Sequence, residues 1–182
     1  MQFYHVSFKC PLTKALCKKM IKLQIVENAY HVDQAKALFQ EYANTRKNDP
    51  ALVDFSEEIN GLPGEYAPPK GNIILAYCDG SLAGCVAVHK LNDDICEMKR
   101  LYVSSKFRGR GLGRCLIMAI LNQAEFLGYT RMRLDTIPTM KTAQKLYESI
   151  GFYKIPDYRN NPNKGTKYYE LELHGKSMKR IC

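Results

Sequence analysis

Between an apolar-rich run, residues 96–103, and an amphipathic run that ends at Leu127 lies Arg108-Gly109-Arg110-Gly111-Leu112-Gly113-Arg114. Three glycines at alternate positions allow turns that a side chain would block and let the main chain approach a ligand closely. Downstream, Leu112, Leu116, Ile117, Ile120, Leu121, Ala124 and Leu127 recur at helical spacing and stop at Gly128, which predicts a helix that opens at the glycines. Its first turn would present unpaired N–H groups and the positive end of the helix dipole, a ready site for a phosphate. A charge at such a terminus is worth only about 0.3–1 kcal/mol. Several amides and the flanking arginines must therefore act together, and the chain must supply a strand, a glycine turn and a helix in that order.

The turn excludes two common phosphate ligands. A P-loop needs Lys-Ser or Lys-Thr after its last glycine, and Gly113 is followed by Arg114-Cys115. A dinucleotide fingerprint needs a third glycine where Arg114 stands, and a tight turn where Ser104 to Arg108 intervene, although Asp135 sits near the place of a ribose-binding acid.

The rest of the chain reads as one domain with regular punctuation. Lys22 to Val26 predicts a first strand; Val32, Ala35, Leu38, Phe39 and Tyr42 predict a helix. Pro50 can open a second helix through Leu52, Val53, Phe55 and Ile59, stopped by Gly61-Leu62-Pro63-Gly64. Residues 72–78 and 82–89 form a hairpin joined at Asp79-Gly80. Residues 131–135 predict a buried strand, 140–149 a helix closed by Gly151, and 167–173 a last strand. The order is strand, two helices, three strands, helix, strand, helix, strand: mixed α/β.

Charge and cysteine usage narrow the class. The net charge of +9 rests mainly on four lysines in residues 1–20 and on Lys176, Lys179 and Arg180, which leaves +2 for the remainder. The domain thus spans 21–174, between a basic N-terminal extension (1–20) and a basic tail (175–182). Solvated ends are preferred to an RNA contact, since aromatic and basic residues do not interleave as a base-stacking platform requires. No apolar run approaches the roughly 18–20 residues of a crossing helix. Seven cysteines without a C-x-x-C pair read as reduced residues of a cytoplasmic protein, and His5, His31, His89 and His174 stand apart, so no metal site is expected.

Arg108, Gly111 and Gly113 also form Arg-x-x-Gly-x-Gly, which resembles the pyrophosphate signature of the GNAT-type, acetyl-CoA-dependent N-acetyltransferases. Glu97-Met98-Lys99-Arg100-Leu101-Tyr102-Val103 is similar to that family's fourth strand, and residues 143–152 to its A-x-x-L-Y-x-x-x-G-F segment. The resemblance, over about 21–173, implies a mixed sheet with splayed central strands, the GNAT-like acyl-CoA N-acyltransferase fold. It implies that acetyl-CoA lies in the gap, with Leu101, Tyr102 and Val103 offering backbone groups to the pantetheine. Amides of Arg108, Gly109, Arg110, Gly111, Leu112, Gly113 and Arg114 would take the pyrophosphate. Met140 stands where many relatives have asparagine, three residues before Ala143, and Thr136 or backbone groups would substitute.

By the same resemblance Tyr147 is the general acid beside the thioester sulfur; the competing reading is a core tyrosine. Glu97, eleven residues before Arg108, is the candidate base, its pKa raised by partial burial; the competing reading is an ion pair with Lys99 or Arg131. Strand parity sets Cys96, Met98 and Arg100 opposite to Glu97. The acceptor is a primary amine of a small molecule, peptide or protein, walled by residues 42–66 and 158–169. Asp49, Asp54, Glu57, Glu58 and Glu65 in the first wall would favour a cationic amine. A homodimer is compatible, and a non-catalytic acyl-CoA-binding regulatory module is the alternative function.

Overall fold

A computed structural model of the chain describes residues 7–8, 20–47, 49–53 and 55–173. The expectations for the C-terminal tail, Asp54, His5 and His174 lie outside them. One mixed sheet runs in the order β1-β2-β3-β4-β5-β6-β8-β7, formed by β1 (Ser7–Phe8), β2 (Ile21–Ile25), β3 (Asn72–Cys78), β4 (Ser81–Lys90), β5 (Ile95–Val103), β6 (Arg131–Thr136), β7 (Tyr153–Ile155) and β8 (Lys167–Glu172). Every neighbouring pair is antiparallel except β5 with β6. β1, inside the segment read as an extension, and β7 add strands at the two edges.

Alternation in β3 and β4 builds two cores. Ile74, Ala76, Val86 and Val88 face α3 (Leu112–Phe126), where Leu116, Ile117, Ile120 and Leu121 are fully buried. Ile73, Leu75, Cys85 and Ala87 face α1 (Ala29–Asn44) and α2 (Phe55–Asn60). Helix α1 starts because the Asn28 side chain accepts from the His31 amide at 2.9 Å, a cap worth about 1 kcal/mol. Ala35, Leu38, Phe39 and Tyr42 then form its buried stripe. The β3–β4 hairpin turns at Asp79 and Gly80 with φ of 51° and 79°, the pair of positive values a type I′ turn needs.

The helix expected from Pro50 is two pieces. Pro50–Leu52 is a 3₁₀ turn capped by Asp49, and α2 begins at Phe55. Val53 is 77% exposed, so the apolar stripe that suggested one helix is broken there.

Strands β5 and β6 set the site. They pair over three positions, Ile95 with Arg131, Cys96 with Met132 and Glu97 with Arg133, and then part. β6 continues against β8 to Thr136, and β5 against β4 to Val103. In the parting segment Arg100 has φ of 56°, beside a register shift against β4. This left-handed residue breaks the pleat, so the alternation expected from Glu97 to Arg100 fails past Met98. Helix α4 (Lys141–Ile150), closed by left-handed Gly151, brings Tyr147 to the gap. No helix among the described residues is long and apolar enough to cross a membrane.

Candidate active site

The glycine turn has the geometry of an open anion cradle. Gly111 caps α3 with φ of 81° and no side-chain hydrogen bond, so the first amides of a 15-residue helix face outward without a capping side chain. A Cβ added at Gly109 (φ 73°) or Gly111 would meet nothing within 4 Å, whereas one at Gly113 would touch Leu146 at 3.4 Å. The first two glycines therefore serve the turn and the third the packing of α3 on α4. Around the amides, Arg108 donates through Nε to the Val103 carbonyl at 3.0 Å, Arg110 lies over the Phe107 ring, and Arg114 donates to Ser149 Oγ at 3.1 Å. Leu112 contributes a buried side chain beneath the turn. Backbone donors ringed by guanidinium groups fit a diphosphate.

Where β5 and β6 part, a cavity of about 390 Å³ opens. Its floor includes Met98, Lys99, Arg100 and Leu101 from β5 and Leu134, Asp135 and Thr136 from β6. Tyr42, Arg46, Asp49 to Val53 and Phe55 form one wall with Glu58; Arg159, Asn160 and Asn161 form the other. Four consecutive β5 residues reach it because of the left-handed turn at Arg100.

Tyr147 lines this cavity, its ring packed on Phe152 and Tyr169 at 5.9 and 6.2 Å between centroids. Its hydroxyl makes no hydrogen bond among the described residues. Burial pushes its pKa up, so the phenol stays protonated at neutral pH and stands as a donor. Thr136 is buried with its Oγ1 unpartnered, and Met140 lines the cavity beside it. Ala143, one turn before Tyr147, packs on the core. Tyr102 is buried edge-on against Tyr42 at 6.0 Å, and the edge of β5 that runs through Leu101 to Val103 has no strand partner on the β6 side among the described residues.

Glu97 differs from expectation. It is fully buried, and its carboxylate accepts from Tyr158 Oη and from Arg159 Nη1 at 3.4 Å, with His89 Nε2 at 2.9 Å and Lys99 Nζ at 3.6 Å. Burial pushes its pKa up, but the His89 hydrogen bond, the Lys99 and Arg159 charges and the Tyr158 hydroxyl outweigh that and hold it at about 2, opposite to the rise expected. Of the two expected counter-ions Lys99 is present; Arg131 lies opposite Ile95 in the strand register, and Arg133 stands opposite Glu97.

The acidic lip is also rearranged. Glu58 is bound bidentately by Arg100 and accepts from Tyr66 at 2.8 Å. Asp49 pairs with Arg46, and Glu65 lies 3.2 Å from His89. Glu58 and Asp49 are thus spent on the protein's own cations. Arg46 and Arg100 hold the wall carboxylates, and Lys99 lies on Glu97. Arg159, in the loop Tyr158-Arg159-Asn160-Asn161-Pro162, was not singled out in the sequence; it lies on Glu97 and also grips Asp135 at 2.6 Å. An arginine flanked by tyrosine and asparagines in a loop already expected to wall the acceptor was the available signal.

Known proteins resemble this chain in sequence and fold. The acetyltransferase (GNAT) family matches residues 32–152. An uncharacterised N-acetyltransferase of Dictyostelium discoideum is 32% identical, over 83% of this chain and 99% of its own. One from Schizosaccharomyces pombe is 37% identical over 84% and 95%. Among solved structures, an acetyltransferase from Streptococcus agalactiae superposes with a TM-score of 0.70 at 24% identity, over 84% of this chain and 98% of that one.

Proposed function

Because the chain belongs to the acetyltransferase (GNAT) family and is an acetyl-CoA-dependent N-acetyltransferase, we propose that it moves the acetyl group onto a primary amine by direct attack in the cavity between β5 and β6. Residues 21–174 are the catalytic domain in this reading. The amides from Arg108 to Arg114 hold the diphosphate of acetyl-CoA. The free edge at Leu101, Tyr102 and Val103 pairs with its pantetheine amides, with Thr136 and the α4 turn at Ala143 on the far side. When bound, acetyl-CoA supplies the activated acyl group.

The single observation that carries the reading is Tyr147, whose protonated, unpartnered phenol lines the cavity where the strands part. A donor held there gives its proton to the departing thiolate without first breaking another hydrogen bond. Glu97 enters as an anchor: with its carboxyl at about 2 and no exposed surface, it holds Lys99 and fixes Tyr158 and Arg159. The ammonium proton leaves to water in the cavity mouth. Cys78, Cys85 and Cys96, buried and in no disulfide among the described residues, suit a reducing compartment such as the cytoplasm.

Tyr147→Phe tests this. Thiol release from acetyl-CoA with an accepted amine should fall on the order of 10²–10⁴-fold in kcat. Calorimetric affinity for acetyl-CoA should change little. A variant that keeps its rate refutes the phenol's role, and a wild-type chain that binds acetyl-CoA yet releases no thiol with any amine is the non-catalytic module instead.

A further inference from the structure

The cavity's charged groups are unequal in what they have left to give. Its three carboxylates among the described residues each face a cation, Asp49 Oδ2 through its ion pair with Arg46 and without a hydrogen bond. Glu58 takes Arg100 and Tyr66; Asp49 takes Arg46, the Ala51 amide and Asn163; Asp135 takes Arg159 and Asn161. The cations are less committed. Nε of Arg46 and Nε of Arg159 are buried without a hydrogen-bond partner. Lys99 Nζ has an ion pair to Glu97 at 3.6 Å and no hydrogen bond among the described residues, although its side chain is 13% exposed. Both guanidinium groups and Lys99 line the cavity, and a charge-assisted hydrogen bond to an acceptor that arrives with a ligand is open to them.

Among the described residues, an acceptor bearing a second ammonium would meet only carboxylates already matched to a cation, whereas one bearing a carboxylate would meet Lys99 on the floor and a guanidinium group on each wall. We propose that the amine this cavity takes carries its own carboxylate, as a free amino acid or a small amino carboxylate does, and that Lys99, Arg46 and Arg159 hold that carboxylate while the amine faces Tyr147. The inference rests on the acetyl-transfer reading above and names its acceptor class.

The test is a set of matched pairs, glycine with glycinamide, L-alanine with L-alaninamide and β-alanine with β-alaninamide, plus spermidine, followed by thiol release from acetyl-CoA. The amides have the less basic, more readily deprotonated amines, so chemistry alone favours them. The expected result is a kcat/KM about 10- to 100-fold higher for the acids, the worth of one charge-assisted hydrogen bond. Lys99→Met should raise KM for the acids, leave kcat within a few fold and narrow the gap to the amides. Because that variant can fold poorly, the same pairs are also titrated calorimetrically into the wild-type chain with CoA present, where the acids should bind and the amides should not. Thiol release with amides or spermidine but not acids overturns this inference and leaves acetyl transfer standing. Absence of release with every amine overturns acetyl transfer. Equal binding of acid and amide to the CoA-bound chain then overturns the acceptor class as well.

Discussion

Glu97→Gln tests the electrostatics beneath the cavity floor. The substitution keeps the shape and deletes the negative charge that faces Lys99 at 3.6 Å, Arg159 at 3.4 Å and His89 at 2.9 Å. A carboxyl lowered from 4.5 to about 2 carries about 3 kcal/mol of folding stability at neutral pH, at 1.36 kcal/mol for each tenfold change in proton affinity. Removing one side of a buried charge cluster costs a comparable 3–5 kcal/mol or so, because the opposite charges stay behind unpaired. Two separate routes therefore give about 3 kcal/mol, a fall in melting temperature of roughly 6–12 °C for a chain of this size. The folded-state pKa lies below the unfolded one. The stabilisation is thus complete above pH 4.5 and is lost as the pH falls toward 2. Urea unfolding followed by circular dichroism at pH 7 and near pH 3 measures both effects. The wild type should weaken over that interval, and the variant should weaken less and converge on it. A loss below about 1 kcal/mol at pH 7, or equal acid slopes in the two proteins, refutes the assignment of Glu97 as the counter-charge.

Gly111→Leu places a side chain in open space before the α3 amides at φ of 81°, a strain of roughly 1–2 kcal/mol that the fold should survive. Calorimetric binding of acetyl-CoA should be abolished, and unchanged affinity would reject the cradle. Gly84→Ala drives a methyl to 2.5 Å from the Tyr102 carbonyl oxygen and 3.3 Å from Val103 Cα, both main-chain atoms. Denaturant unfolding should register a loss of about 1–3 kcal/mol, and an effect under 0.5 or so would contradict the close β4–β5 approach.

What was legible in the sequence depended on local chemistry. The Asp79-Gly80 turn, the stripe of α1 and the run from Leu112 to Leu127 followed from period and turn residues, and the structure has them within a residue or two. The left-handed Arg100 was not legible. Arginine has no preference for that region, and Arg100 turns there beside a register shift, with its guanidinium on Glu58 and 4.4 Å from the Phe55 ring centroid. That one turn decided which β5 side chains reach the cavity. The state of Glu97 was equally hidden. Its partners His89, Tyr158 and Arg159 come from β4 and from a loop about sixty residues on, so the sign of its pKa change depends on tertiary neighbours. The wall carboxylates misled for the same reason, because charges counted along the chain do not reveal which are already matched across it.

The parting of β5 and β6 divides the cleft between two kinds of material. On the side of the unpaired strand edge and the α3 amides, the polar groups are peptide groups, which every residue but proline carries whole, so many replacements at 101–103 leave them untouched. On the side of Arg46, Lys99 and Arg159, each polar group hangs from a single codon. On the proposed reading, a lineage exchanges the molecule it modifies by one or two substitutions while the grip on its donor persists, and divergence among relatives should concentrate on the second side.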